Sequence, residues 1–165
     1  MTTKALIAAI CFLLPASSWA GEARTYTVAG SSMSPTLMEG DTVVVSDEGV
    51  DGLKRGDLAA IRFAGRTNPM VKRVAAIAGD MVEIKGDRLL VNGKEICFID
   101  SYRWRSTIKQ LERYRWILPE NNVFILGDNP ENSRDSRRLG LISTEQVKGK
   151  VIEIIRDDKQ LAVAH

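Results

Sequence analysis

This chain contains seven short runs of β-branched and other apolar residues, and each run is too short to form a packed helix. They lie at 42–46, 58–63, 71–78, 81–85, 89–91, 123–126 and 151–155. Hairpin-type turn pairs follow three of them: Gly79-Asp80, Gly86-Asp87 and Asn92-Gly93. Many short strands without alternating helices predict an all-β fold, either a closed or a partly open barrel of antiparallel sheet.

Two stretches depart from this strand pattern. In 143–147, Ser143 is placed to cap a single helical turn. Between about 86 and 122 the regular spacing is lost, and Trp104 and Trp116 stand among interleaved arginines. We expect an insertion on the barrel there, formed as a long hairpin or a short amphipathic helix. Its tryptophans suit either a membrane interface or a small satellite core.

The first twenty residues differ in composition from the rest of the chain. Lys4 is their only charged residue, a ten-residue apolar run follows it, and small residues flank Trp19. This order is that of a secretory signal peptide. The alternative is a retained membrane anchor, although about 24 Å of helix is short for a bilayer core of about 30 Å. In both interpretations residues 1–20 send an extracytoplasmic domain, residues 21–165, across the membrane.

The charge balance and the scarcity of some residues exclude several classes of function. The chain has 23 basic and 21 acidic residues, so it lacks the clustered basic excess of a nucleic-acid-binding protein. Its two cysteines, Cys11 and Cys97, are too few for a disulfide framework or a zinc cluster. Its one histidine, His165, is the last residue, so a Ser-His-Asp triad is not expected.

A serine nucleophile without a histidine needs a lysine as its base. A lysine with the ordinary pKa of about 10.4 is protonated at neutral pH, so burial must first lower that pKa. Lys72 stands out because it is embedded in an apolar strand run, 70–78. Strand alternation alone gives a different interpretation, in which Lys72 lies on the solvated outer face and Arg73 points inward.

The segment 127–140 is unusually dense in Asp, Asn, Ser and Arg. Pro130 stands where a calcium loop requires a ligand, and the glycine and lysine spacing of a phosphate loop is absent. The segment is therefore either a solvated loop with local Asx turns or a rigid polar platform that positions other side chains. No metal site and no cofactor is expected.

Three boxes together resemble the type I signal peptidases, which are Ser/Lys-dyad serine peptidases of the S26 type. The boxes are Ser32-Met33-Ser34-Pro35-Thr36-Leu37, then Lys72-Arg73-Val74 running to Gly79-Asp80, then Gly127-Asp128-Asn129 with Asn132-Ser133 and Asp135-Ser136-Arg137. The resemblance spans about residues 26–156. It implies a partly open antiparallel β-barrel of the signal peptidase type with a small inserted segment.

The resemblance also implies a role for each matching residue. By this resemblance, Ser32 is the nucleophile and its backbone amide is an oxyanion donor, while Lys72 is the general base. Ser133 orients the lysine amine. Asp135 and Arg137 brace the site, and Asp128 and Asn129 fix the turn. Met33 and Val71 are candidates for the shallow apolar pockets that accept small substrate side chains. Gly30 stands where some members carry a second, hydroxyl oxyanion donor.

The implied activity is cleavage of N-terminal signal peptides from exported preproteins through an acyl-enzyme. The implied partners are signal peptides at the membrane surface and membrane lipid, with no nucleic acid and no metal. The catalytic domain is expected on the periplasmic side of a bacterial inner membrane, or free in the periplasm if the leader is cleaved.

Three alternatives remain beside this interpretation. A conjugation-system peptidase that matures a pilin has similar boxes and a similar leader. Repressor-type Ser/Lys autoproteases share the dyad, but they are cytoplasmic and carry a helical DNA-binding domain that this chain lacks. A catalytically inert, exported β-barrel binding module is the alternative from a different class.

Overall fold

The computed structural model describes residues 22–47, 50, 52–85, 88–96 and 115–156. The predicted leader, both cysteines and His165 lie outside these ranges, as does most of the tryptophan-containing segment 104–116. In the ranges described, no helix is long and apolar enough to cross a membrane.

Strands dominate the described secondary structure. In chain order they are β1 (Ala23–Thr27), β2 (Thr42–Ser46), β3 (Leu58–Ile61), β4 (Met70–Ala76), β5 (Met81–Lys85), β6 (Arg88–Val91), β7 (Lys94–Glu95), β8 (Arg115–Ile117), β9 (Asn122–Leu126), β10 (Ile142–Ser143) and β11 (Val147–Ile155). A four-residue helix, α1 (Ser136–Leu139), and two 3-10 turns, Pro130–Asn132 and Thr144–Gln146, lie between β9 and β11.

The strands form two antiparallel sheets. The larger sheet has the order β1-β2-β11-β3-β4-β9-β10, and the smaller has the order β7-β6-β5-β8. Strand pairing within the described residues does not close either sheet into a ring. The prediction of an all-β, partly open antiparallel architecture is therefore confirmed.

The three predicted turn pairs have different outcomes. Asn92 and Gly93 have φ angles of 52° and 75°, and Val91 pairs with Lys94 across them. These values fit a two-residue hairpin turn with positive φ at both central positions, as predicted. Gly79-Asp80 is not a hairpin turn, because it carries the chain from β4 in the larger sheet to β5 in the smaller. Gly86-Asp87 lies outside the described residues.

Asp80 holds the crossing between the two sheets. Its buried carboxylate accepts hydrogen bonds from Arg55 at 2.6 and 2.7 Å, from the Ile77 amide at 2.9 Å and from the Asn92 side chain at 2.9 Å. Burial alone raises the pKa of Asp80, but the hydrogen bonds from these three groups bring that pKa below its ordinary value. An ionised Asp80 therefore ties the loop before β3 to the start of the smaller sheet.

Several element boundaries differ from the prediction. β3 ends at Ile61 and β4 at Ala76, both two residues before the predicted ends, and β11 begins at Val147, four residues before its predicted start. β1, β7, β8 and β10 were not among the predicted strands, because β1 is mostly polar and the other three have only two or three residues. The turn capped by Ser143 is confirmed as the 3-10 turn Thr144–Gln146, closed by a capping box.

The predicted insertion, 86–122, overlaps the smaller sheet and stays a prediction, since residues 97–114 are outside the described ranges. Its one described tryptophan, Trp116, is half-buried in β8 and packs against Phe124, with 5.7 Å between ring centroids. For Trp116, packing in a core therefore fits better than the membrane-interface interpretation.

Three apolar clusters fill the space between and beside the sheets. One lies under the smaller sheet, and a second lies around the middle of β3, β4 and β9. The third joins Met33 and Leu37 to Val43 and Val45 of β2 and to Leu58 and Ala60 of β3. This third cluster carries the segment after β1, so it fixes the position of the predicted nucleophile.

Candidate active site

Residues 28–41, which contain the predicted nucleophile Ser32 and are called the nucleophile segment below, form a compact turn structure anchored at two points. Its ends are held by hydrogen bonds from the Val28 amide to the Asp41 carbonyl and from the Gly40 amide to the Val28 carbonyl. In its middle, the side chains of Met33 and Leu37 are fully buried in the apolar cluster below. Ser32 immediately precedes Met33, so its hydroxyl is presented from a rigid base.

Lys72 meets this hydroxyl from β4. Its Nζ donates a 2.7 Å hydrogen bond to Ser32 Oγ and a 2.9 Å hydrogen bond to the Val71 carbonyl. The two predicted catalytic residues, 40 positions apart in the sequence, are therefore in direct contact.

Strand alternation wrongly placed Lys72 on the solvated face, because only 1% of its surface is exposed. The physical reason lies in its neighbour β3, whose four residues are all buried. A strand covered on both faces does not alternate between apolar and polar positions. Arg73 is also largely enclosed, with 15% of its side chain exposed.

The electrostatic surroundings of Lys72 suit a base. Burial lowers the pKa of its amine to about 8, and the nearby Arg66 cation acts in the same direction. The carboxylates of Asp135 and Asp128 oppose this by favouring the charged form. Near pH 8 a large fraction of Lys72 is therefore neutral and able to accept a proton.

The segment 127–140 is the rigid platform rather than the solvated loop. Asp128 is buried and accepts two hydrogen bonds from Arg73, at 2.5 and 2.8 Å. Arg73 also donates to the Gly56 carbonyl at 2.7 Å. Asp128 thereby fixes β4 at the residue next to Lys72, which is more than the turn-fixing role expected of it.

Asn129 ties the platform to the nucleophile segment. Its backbone amide donates to the Ser32 carbonyl at 3.0 Å, and its side-chain amide donates to the Ser31 carbonyl at 3.0 Å. Asn132 adds a hydrogen bond from its side chain to the Ser31 hydroxyl. The sequence analysis did not single out this function of Asn132, although the residue lies within the quoted box.

Asp135 and Arg137 form the inner brace of the platform. Asp135 is fully buried and accepts two hydrogen bonds of 2.9 Å from the Arg137 guanidinium. The same carboxylate accepts from the Gly127 amide at 2.9 Å and caps α1. Arg137 donates onward to the Pro130 carbonyl. The pair thus holds both ends of the platform, behind the dyad.

Ser133 lies beside Gly127. It does not form the hydrogen bond to the Lys72 amine that was expected of it. Its Oγ is buried and, among the described residues, has no hydrogen-bond partner. A buried hydroxyl without a partner costs about 1–3 kcal/mol, which is consistent with a functional rather than a stabilising role. The orienting contact to the Lys72 amine is not formed in this arrangement, and the role stays a prediction.

Gly127 is a site residue that the sequence analysis missed as an individual. A Cβ atom at this position would lie 2.1 Å from Ser133 Oγ and 2.5 Å from the Ser32 carbonyl oxygen. Only glycine therefore allows the platform to approach the nucleophile this closely. Its place at the start of the Gly-Asp-Asn box was the available signal.

An open cleft of about 130 Å³ adjoins the dyad. Its walls come from residues 26–33 and 66–72, together with Val43, and they include both predicted pocket residues, Met33 and Val71. A larger depression of about 330 Å³ lies elsewhere, around Leu53 and Asn122, and contains none of the predicted site residues. In the described ranges, no three His, Cys, Asp or Glu side chains form a metal ligand set.

The backbone amide of Ser32 is available as an oxyanion donor. Among the described residues it donates to no acceptor. Gly30 has a φ of 84° and no side-chain hydroxyl to add. The arrangement therefore brings a serine hydroxyl, a buried lysine amine and one free backbone amide together beside an open cleft.

The family model and the curated relatives that match this chain agree on one family. The family described as "Signal peptidase, peptidase S26" matches residues 1–155. A signal peptidase IB of Staphylococcus aureus strain COL is 34% identical over 142 residues, covering 76% of this chain and 74% of that protein. A signal peptidase I of Bacillus licheniformis is 34% identical over 155 residues, covering 88% of this chain and 82% of that protein. A crystal structure of a signal peptidase I from Enterococcus faecalis V583 has 24% identity and a TM-score of 0.45, covering 60% of this chain and 96% of that one.

We expect Gly127→Ala to lower kcat by about 100-fold, because a displacement of about 1 Å at the nucleophile has that effect. The new Cβ must push either Ser133 or the Ser32 carbonyl out of place. Single-turnover hydrolysis of a peptide substrate measures the change, and circular dichroism checks the fold.

Gly140→Ala is the matched control, since Gly140 also belongs to the platform but has open space around it. Its positive φ makes a loss of stability the expected result, with kcat retained. Wild-type kcat in Gly127→Ala would contradict this account of the site.

Proposed function

We infer that this chain, which belongs to the signal peptidase family of S26 peptidases, cleaves signal peptides from exported precursors with Ser32 as nucleophile and Lys72 as general base. The observation that carries the proposal is the 2.7 Å contact between Ser32 Oγ and an Lys72 amine that is 1% exposed. A buried amine with a pKa of about 8 supplies the proton acceptor that a serine needs.

Acylation begins when the neutral Lys72 amine takes the proton of Ser32 Oγ as that oxygen attacks the scissile carbonyl. The resulting oxyanion accepts a hydrogen bond from the Ser32 amide. The tetrahedral intermediate collapses when the C–N bond breaks and the Lys72 ammonium returns its proton to the leaving amine. The leaving amine is the new N-terminus of the mature protein, and the leader remains as an ester on Ser32.

Deacylation repeats the same steps with water as the nucleophile. Lys72 takes a proton from the water, which attacks the ester carbonyl, and the ammonium then returns that proton to Ser32 Oγ. Ser133 has a buried hydroxyl near the dyad, and we assign it the orientation of the Lys72 amine while Ser32 is acylated. The products are a free leader carboxylate and the regenerated dyad.

The cleft provides a surface on which the precursor backbone can pair. Met70, Val71 and Lys72 pair with β3 on one side, whereas β9 pairs with β4 only from Arg73 onward. In the described residues the second edge of β4 is thus unoccupied at 70–72, beside Ser32. An extended precursor segment can add to this edge by main-chain hydrogen bonds. Met33 and Val71 then line the pockets for the small side chains next to the cut.

The membrane is the second partner that we propose. Four large apolar side chains are between 38% and 48% exposed: Met38, Ile152, Ile154 and Ile155. Arg156 holds them near one end of the larger sheet by donating to the Thr36 carbonyl and to Asp41. This apolar end adjoins the nucleophile segment, so contact with lipid would bring the dyad to precursors at the bilayer surface.

We expect Ser32→Ala and Lys72→Met each to abolish cleavage of a precursor that carries an Ala-x-Ala site, in detergent. The first variant removes the nucleophile, and the second removes the base while keeping an apolar side chain of similar length. Ser34→Ala, in the same segment, is the matched control and should retain activity. Product masses report where the cut falls. If the wild type does not cleave this precursor, two interpretations remain: a peptidase with a dedicated substrate, such as a pilin, or an inert binding module.

Because neutral Lys72 is required, we expect kcat/KM to rise with pH and to reach half of its maximum near pH 8. Below that value the amine is protonated and cannot accept the Ser32 proton. The measurement uses a peptide without ionisable groups, with circular dichroism at each pH to exclude unfolding. A rate that is constant from pH 6 to 9 would contradict the role of Lys72 as base.

If the apolar end contacts lipid, the double variant Ile154→Ser/Ile155→Ser should cleave a vesicle-embedded precursor about fivefold or more slowly, since losing part of an inserted side chain weakens binding by about 1 kcal/mol. Its rate on a soluble peptide should be unchanged. Ile117→Ser is the control, because Ile117 is 72% exposed but lies on the smaller sheet. Equal losses on both substrates would contradict lipid contact at this end.

A further inference from the structure

Arg66 is, apart from Lys72, the only charged side chain that lines the cleft in the described part of the chain. It lies in the loop between β3 and β4, where its backbone amide donates to the Phe63 carbonyl at 3.1 Å. This turn fixes the position of its backbone, and its side chain is exposed. The cleft therefore has two basic groups and no carboxylate on its described walls.

The guanidinium of Arg66 has no partner among the residues that the structure describes. The other two arginines of the site, Arg73 and Arg137, contact Asp128 and Asp135 respectively. Among the described residues, Arg66 forms neither an ion pair nor a side-chain hydrogen bond. Arg73 and Arg137 brace the site, whereas Arg66 presents an uncompensated positive charge to whatever enters the cleft.

The position of Arg66 along the cleft indicates which part of a precursor it meets. In the proposed binding mode, Val71 lines the pocket for a small residue next to the cut. The wall then continues away from the dyad through Met70 and Asn68 to Arg66. Arg66 therefore faces precursor residues that lie farther from the scissile bond than those in the pockets, and the fourth to sixth residues before the cut are the positions to vary.

We propose that Arg66 is a specificity-determining residue that binds a carboxylate side chain of the precursor about four to six residues before the cut. This inference rests on the proposed function. Aspartate or glutamate in that stretch pairs with the guanidinium, and lysine or arginine there is repelled. The protein thus favours the subset of leaders with an acidic residue close to the cleavage site.

Arg66 also acts on the base, which gives an independent readout. The charged groups that face Lys72 are Asp128 after β9, Asp135 before α1, and Arg66 in the β3–β4 loop. The two carboxylates favour the protonated amine, and Arg66 disfavours it. Loss of the Arg66 charge therefore raises the pKa of Lys72 and moves the rising limb of kcat/KM to higher pH on an uncharged substrate.

The experiment uses Ala-x-Ala peptides that carry Glu, Gln or Lys at the fourth, fifth or sixth residue before the cut. For the wild type, we expect kcat/KM to be about two- to fivefold higher with Glu than with Lys, mainly through KM. Exposed charge pairs have effects of this size. The ratio should fall towards one in Arg66→Gln and invert in Arg66→Glu. It should also shrink at about 1 M salt, where the Debye length is about 3 Å.

Arg62→Gln is the matched control, because Arg62 is an exposed arginine just after β3 that does not line the cleft. It removes the same charge and should leave both the Glu/Lys ratio and the pH limb as in the wild type. Binding of the same peptides to Ser32→Ala, followed by fluorescence anisotropy, measures the charge preference without turnover.

The outcomes separate the inference from the proposed function. Absence of cleavage with a Glu preference in binding would overturn the peptidase assignment and leave Arg66 as an anion-binding residue. Cleavage with a Glu/Lys ratio near one, or with a ratio that Arg66→Gln does not change, would overturn the inference alone. An effect of Arg66→Gln that appears only on anionic vesicles, equally for Glu and Lys peptides, would assign the guanidinium to lipid phosphate and also overturn it.

Discussion

The site depends on one amine that is kept out of water. Lys72 can serve as a base only while its neutral form is accessible, and burial against Ser32 and β3 lowers its pKa to about 8. Two buried carboxylates nearby would reverse this effect if they were unpaired. Their pairing with Arg73 and Arg137 limits their attraction for a proton on Lys72. The platform of residues 127–140 is therefore an electrostatic support as well as a mechanical one.

The sequence was sufficient to predict the fold class and the contact between Ser32 and Lys72, whose catalytic roles stay predictions. Short β-branched runs and Asn92-Gly93 predicted antiparallel strands, and the absence of a usable histidine directed attention to a lysine in an apolar run. Strand alternation failed at Lys72 for a physical reason, since the neighbouring β3 is buried throughout and the segment that carries Ser32 covers the lysine side chain. A periodicity argument assumes one wet face, and that assumption fails at the functional strand.

Other features had no local sequence signal. Gly79-Asp80 reads as a hairpin turn, but Asp80 is buried by Arg55 and Asn92, which come from distant parts of the chain. The importance of Gly127 depends on the approach of Ser133 and of the Ser32 carbonyl, which only the folded chain brings together. Likewise, the exposed Arg66 becomes notable only when the cleft around it is known.

Asn129 links segments that are 98 residues apart, and this separation has a consequence for biogenesis. The nucleophile segment is synthesised first, but the residues that hold its carbonyls in place follow much later. At ribosomal rates of about 5–20 residues per second, the gap lasts about 5–20 s. During that interval the serine lacks the hydrogen bonds from Asn129, and the buried brace behind the lysine does not yet exist. We therefore expect the nascent chain to be inactive until residues 127–140 have been synthesised and packed against the segment that carries Ser32.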